Sequence, residues 1–238
     1  MQFNAGAPAY SFTIPNNVTL DIIGVGIVNN SSNVPTFNNF FGLIFHDGST
    51  AGDALIINNF GTTSPVNLIF LDTSTAGNAT IVNNTDPANT SNPGIVQFLG
   101  QSTAGNATIA NNANSFTVFF SNSTAGNANI SNSGTLSFFN ATTAGAAIIT
   151  NTGLLTFNNT STANNAKITN NPFGTINFLD TSTAGNANIT NNFFLNFQNA
   201  STAGNAAITN TALLTFNNTS RCSRRFQAQA SSSTARCR

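Results

Sequence analysis

The string Ser-Thr-Ala-Gly-Asn-Ala returns, with small variations, along most of this 238-residue chain. Its first residue serves as an anchor: Ser49, Ser74, Ser102, Ser123, Thr142, Ser161, Ser182, Ser201 and Ser220, at intervals of 25, 28, 21, 19, 19, 21, 19 and 19 residues. In all eight complete copies Thr and then Ala follow the anchor; Ala recurs five residues after it, Ile seven after it and Asn nine after it. Four residues before every anchor stands Phe, from Phe45 to Phe216, and two before each Phe the residue is aliphatic except at Thr117. All length variation falls between the Asn and the aliphatic residue. Insertions confined to one loop per repeat mark each repeat as one turn of a stacked structure.

The local period is 2. Ala-x-Ile-x-Asn and Leu-x-Phe each alternate, the pattern of short strands with one inward face, and Asn, Thr, Ser and Gly clusters supply the turns between them. No stretch carries apolar residues at helical spacing, so a helical repeat is excluded. The expected fold is all-β: a right-handed parallel β-helix, or β-solenoid, of about 19–21-residue rungs, because parallel crossovers are almost always right-handed. Residues 43–220 are the solenoid repeats and residues 1–42 a divergent lead-in with capping rungs. At about 4.8 Å per rung the rod is expected to be roughly 45–50 Å long, with Phe stacked on Phe, Ile on Ile, and the Asn column forming an internal amide ladder at a bend.

Charge then narrows the function. The chain has 6 Lys+Arg and 6 Asp+Glu, all six acids being Asp, and five of the basic residues fall within the last 18 positions. Residues 1–220 thus carry Lys167 alone against six Asp, which excludes a phosphate-binding face and argues against nucleic acid as a partner. No apolar run approaches the roughly 20 residues of a membrane-spanning helix, and the N-terminus shows no basic-then-apolar leader. Twenty-two Phe residues argue against disorder. The tail, residues 221–238, breaks the pattern: after Ser220 the chain reads Arg221-Cys222-Ser223-Arg224-Arg225 where Thr-Ala-Gly is due. Its Arg/Ala/Ser/Cys mixture suits an out-of-frame reading of the repeat, and we expect it to be disordered and functionless. Without it the last rung leaves strand edges bare, which invites end-to-end self-association.

The Ser-Thr-Ala-Gly-Asn-Ala-Thr-Ile…Asn-Asn…Leu-x-Phe unit resembles the passenger-region repeat of autotransporter outer-membrane proteins of Gram-negative bacteria, over about residues 43–220. The resemblance implies a secreted β-helix displayed at the cell surface, in adhesion or biofilm roles, with host or cell-surface glycans or proteins as partners. The chain departs from that family in lacking a visible signal peptide and a C-terminal barrel pattern.

Enzyme chemistry has little to work with. Asp47, Asp72 and Asp180 each lie two residues before an anchor, the first two on adjacent rungs with His46 beside them. A carboxylate pair can run acid–base hydrolysis, and parallel β-helix enzymes of that kind cut pectin-like polysaccharides. Such enzymes also need a cationic group near the substrate, and Lys167 is the sole one before the tail. We therefore read these residues as turn aspartates, Asp53 likewise, and expect no catalytic, cofactor or metal site. A second alternative is ice binding through the unbroken Thr column, Thr50 to Thr202, doubled at Thr73/Thr75, Thr160/Thr162 and Thr181/Thr183 by a second column that is interrupted at Asn122, Ala141 and Ala200. The many Asn-x-Ser/Thr triplets follow from composition. The favoured reading is a non-enzymatic extracellular stalk or adhesin-like surface.

Overall fold

The structure, a computed structural model, describes residues 1–86, 88, 91–221 and 226–228. It is a parallel β-solenoid of about ten turns, without helix among the described residues, as the period-2 pattern requires. Each turn contributes one strand to an 11-stranded parallel sheet, one to a 10-stranded parallel sheet, and one bridging residue to a third side. In one rung, Ile148–Asn151 lies in the first sheet, Leu154–Phe157 in the second, and Thr162 bridges Thr143 and Thr183 on the third. We refer to these as the Asn-bearing sheet, the Phe-bearing sheet and the Thr side.

Register is fixed residue for residue, so each sequence column becomes a physical column. Phe45, Phe70, Phe98, Phe119, Phe138, Phe157, Phe178, Phe197 and Phe216 form one continuous stack, with ring centroids 4.6–4.8 Å apart and planes within 10°. The rung spacing sets that separation, and each ring contact adds roughly 0.5–1.5 kcal/mol beyond its buried area. Opposite the stack, Ile56 to Ile208 and the paired alanines fill the remaining core, essentially without exposure. Alanine recurs there because the chain turns inward too tightly for a larger side chain.

The Asn column is a buried ladder and begins one rung earlier than the repeat suggested, at Asn39. Side-chain Nδ2 donates to the next rung's Oδ1 from Asn39 through to Asn210 at 2.6–2.9 Å, without interruption. The second amide proton reaches backbone carbonyls at the bend, such as Leu154 O from Asn132 at 2.9 Å. A bend in the middle of a core exposes backbone carbonyls that lack strand partners, and a planar amide stacked at the rung repeat satisfies them.

The lead-in also contributes rungs. Ser11–Ile14 pairs with Thr36–Asn39, and Thr19–Ile22 with Gly42–Phe45. Here Phe12 and Phe37 precede the Ile column and Ile22 precedes the Phe column, so the rungs are real but chemically transposed. At the other end, Arg221 bridges Thr202, and Phe226–Ala228 pairs with the strand ending at Asn210. Those tail residues continue the stacking, where disorder was expected; residues 222–225 and 229–238, with Cys222 and Cys237, lie outside the described residues.

One corner requires the left-handed backbone in every complete rung: Gly52, Gly77, Gly105, Gly126, Gly145, Asn164, Gly185 and Gly204 all have φ between +51° and +63°. A Cβ on Gly126 would stand 2.8 Å from Gly105 O. Asn164 shows that the corner accepts asparagine, which tolerates this conformation. Gly126→Asn should therefore fold at a modest cost, the backbone giving slightly to admit its Cβ, and Gly126→Val should be less stable than it by about 2 kcal/mol or more, read from chemical denaturation.

Candidate functional site

The aspartates fall on a second left-handed column. Asp47 (φ +55°), Asp72 (+54°) and Asp180 (+54°) occupy the same turn position as Gly100, Ser121, Asn140, Asn159, Asn199 and Asn218. The carboxylates of Asp72 and Asp180 are spent on the turn, and Asp47 joins it through its backbone. Asp72 Oδ2 accepts the backbone N–H of Asp47 at 3.1 Å, and Asp180 Oδ2 accepts that of Asn159 at 2.8 Å. Asn159 Oδ1 does the same for Asn140 N–H at 3.0 Å, so an uncharged residue serves equally. On the rung above, Thr73 Oγ1 closes the turn by donating to Asp47 O at 2.9 Å. Adjacent and exposed as Asp47 and Asp72 are, one is held by the other's backbone rather than both facing a shared substrate.

The remaining ionisable groups are scattered. His46 Nε2 lies 3.2 Å from Asp21 Oδ1, both well exposed. Asp53 Oδ2 accepts from Asn29 Nδ2 at 3.0 Å, which ties the lead-in to the first repeat. Lys167 is exposed at the start of its strand, far along the rod from Asp47 and Asp72. Among the described residues no three His, Cys, Asp or Glu side chains gather into a metal-binding group.

The Thr column has a structural task too. Thr50, Thr75, Thr103, Thr124, Thr143, Thr162, Thr183 and Thr202 bridge one another in series and are half-buried. Each Oγ1 accepts the amide N–H two residues on, at 2.9–3.0 Å, which is the amide of the left-handed corner. The second threonines, Thr73, Thr160 and Thr181, donate to the carbonyl of the turn residue one rung back at 2.9–3.1 Å. A regular outward threonine array does exist, but elsewhere: Thr150, Thr169, Thr190 and Thr209 stack on the outer side of the Asn-bearing sheet.

Two features escaped the sequence reading. The anchor hydroxyls are fully buried: Ser49, Ser123 and Ser201 donate to carbonyls one rung back at 3.0–3.2 Å, whereas Ser74, Ser102, Thr142, Ser161 and Ser182 have no partner among the described residues. The other is an apolar stretch on the outside of the Phe-bearing sheet, where Phe120 and Phe139 stack at 4.8 Å. The period-2 signal could have found it by listing the outward positions separately.

No family model matches the chain, and neither a curated protein nor a solved structure matches it significantly.

Proposed function

We propose that this chain is a non-enzymatic extracellular rod: a stiff stalk or adhesin-like surface module of the kind the autotransporter passenger resemblance implies, displayed at the cell surface. The observation that carries this reading is axial continuity. Nine stacked Phe rings, eight of them fully buried and Phe216 partly so, and nine buried Asn amides run from one end of the repeats to the other without a break. Meanwhile the side chains of Asp72 and the Thr column, which could have made a site, hydrogen-bond the turns that hold rungs together, and Asp47 enters those turns through its backbone. Side chains committed to the axis favour a part whose length and stiffness matter. Multivalent, low-affinity contact along its sides fits the same architecture.

Deleting residues 143–161, one whole period, tests this. The shortened chain should fold and lose about 4.8 Å of length by small-angle scattering, one rung and no more. The full chain should release no reducing sugar from pectin-type polymers, before or after Asp72→Asn, and should show no thermal hysteresis. Hydrolysis abolished by Asp72→Asn would make it an enzyme. Hysteresis lost on Thr162→Val with Thr183→Val would make it an ice binder. Collapse of the one-period deletion would show that the rungs are not the modular units a stalk requires.

A further inference from the structure

The outer side of the Phe-bearing sheet changes character along the rod. Strand alternation points three residues outward per rung: those three and one before each stacked Phe, and the one after it. In two central rungs these are mostly large and apolar, and the next two carry Phe139 and Leu154 among Thr135, Ser137, Thr156 and Asn158. Phe116, Val118 and Phe120 line one strand; Ile95 and Leu99 flank Gln97 on the strand below, and Phe139 stacks on Phe120 from above. Phe116 and Leu154 are 39% and 36% exposed, although neither has a place in the core. From Asn67 to Asn158 no outward position of this sheet is charged. A polar ladder runs up the middle of the face from Ser137, which accepts from Thr156 Oγ1 at 2.9 Å, to Asn196 Nδ2 donating to Asn177 Oδ1 at 2.9 Å and Thr215 Oγ1 to Asn196 Oδ1 at 2.6 Å, with Phe194 apolar beside it. The matching rungs of the Asn-bearing sheet present no aromatic side chain outward: Thr80 and Val82, Thr108 and Ala110, Asn129 and Ser131, Ile148 and Thr150.

We infer that the central outer face of the Phe-bearing sheet pairs side by side with the same face of a second copy of this chain. The inference goes beyond the stalk reading and does not depend on what the rod displays. Three arguments select a second copy as occupant. An apolar face with no charge of either sign is complementary to itself, whereas a charged partner would lose its hydration there without gaining a counter-charge. The outward side chains stand in columns at the rung repeat. A two-fold mate presents the same pitch, so the ridges of one face enter the grooves of the other, with the sheets about 10 Å apart. The area also suffices. Four residue steps across and four rung spacings along, the five rungs from Asn67 to Asn158, span about 13 by 19 Å between side-chain origins. With side-chain margins that is about 500 Å² per copy, or about 1,000 Å² for the pair, the lower bound of a specific interface. The expected dimer is weak and reversible.

Sedimentation of the full chain over a concentration series tests this. The mass should rise from 24.7 kDa to twice that value and stop, because an isologous contact closes at two. Val118→Lys, which sets like charges face to face, should raise the dissociation constant at least ten-fold. Gln97→Lys should do the same at a position already polar, so that folding is not in question. Thr169→Lys on the Asn-bearing sheet should leave the dimer intact. A monomer at every concentration overturns the inference. So does an open-ended series of masses, the signature of end-to-end stacking, or a dimer weakened as much by Thr169→Lys as by Gln97→Lys.

Discussion

Asn151→Ala is expected to lower the unfolding free energy by about 3–5 kcal/mol, far more than the loss of one surface amide. Asn151 is fully buried at the middle of the ladder. Its Oδ1 accepts from Asn132 Nδ2 at 2.7 Å, and its Nδ2 donates to Asn170 Oδ1 at 2.8 Å, with Gly153 O and Thr175 O at 3.1 and 3.2 Å. Truncation leaves a donor on Asn132 and an acceptor on Asn170 short of partners in a site water does not reach, and each such group costs about 1–3 kcal/mol. The comparison is Asn196→Ala in the partly exposed outer ladder, where water replaces the lost partners and the cost should stay under about 1 kcal/mol. Asn151→Asp sharpens the test. A buried carboxylate offers Asn170 no donor and resists desolvation, so the variant should be worse than alanine at neutral pH. Protonation restores an O–H donor, so its stability should recover as the pH falls. Equal costs for Asn151→Ala and Asn196→Ala in urea denaturation would show that the ladder is a consequence of stacking and contributes nothing to it.

What the sequence disclosed and what it hid have the same cause. Exact parallel register converts any repeated residue into a column, so the Phe, Ile and Asn columns could be read from spacing alone, as could the solenoid. Where chemistry changes while register persists, the signal fails. Ile22 stands in the Phe column, and Phe12 and Phe37 lead the Ile column, so two genuine rungs read as a divergent lead-in. The aspartates were legible in kind. Asp47 and Asp72 share their column with Gly100, Asn140 and Asn159, and that Asp/Asn/Gly mixture already denotes a left-handed turn rather than a carboxylate pair. The Thr column was visible as a column, but the half-buried setting of its hydroxyls was not. Spacing held a clue, since Gly follows two residues after Thr in all complete repeats except the one with Asn164, and a Thr hydroxyl readily bonds the amide at that distance. The apolar outer face was hidden because Phe119 and its outward neighbours Val118 and Phe120 form a run in which inward and outward residues look alike.

The Phe stack should be the more costly column to break, and the cost should depend on position along the rod. Phe138 is fully buried between Phe119 and Phe157, at 4.8 Å and 6° from each. A Phe→Ala cavity costs about 3–5 kcal/mol, and the two ring contacts about 0.5–1.5 kcal/mol each beyond area. Because overlapping contributions do not add fully, the expectation for Phe138→Ala is about 5 kcal/mol, comparable to the whole stability of many domains. Among the described residues Phe216 has one ring neighbour, Phe197 at 4.7 Å, and it is only partly buried, so Phe216→Ala should cost half as much or less. A repeat array is coupled only through nearest neighbours, so the damage from Phe138→Ala should be local. Amide exchange should quicken in the rungs around residues 119–157, while the terminal rungs keep their protection. Phe138→Ile is the informative partner, because Ile22 already occupies this column one rung before Phe45. An aliphatic side chain fits the rung spacing but interrupts the rings, so Phe138→Ile isolates the aromatic contribution at about 1–3 kcal/mol. If Phe138→Ala and Phe216→Ala cost the same, or if exchange quickens uniformly along the rod, the stack does not couple the rungs. The rod's stiffness would then have to come from the Asn ladder and the backbone alone.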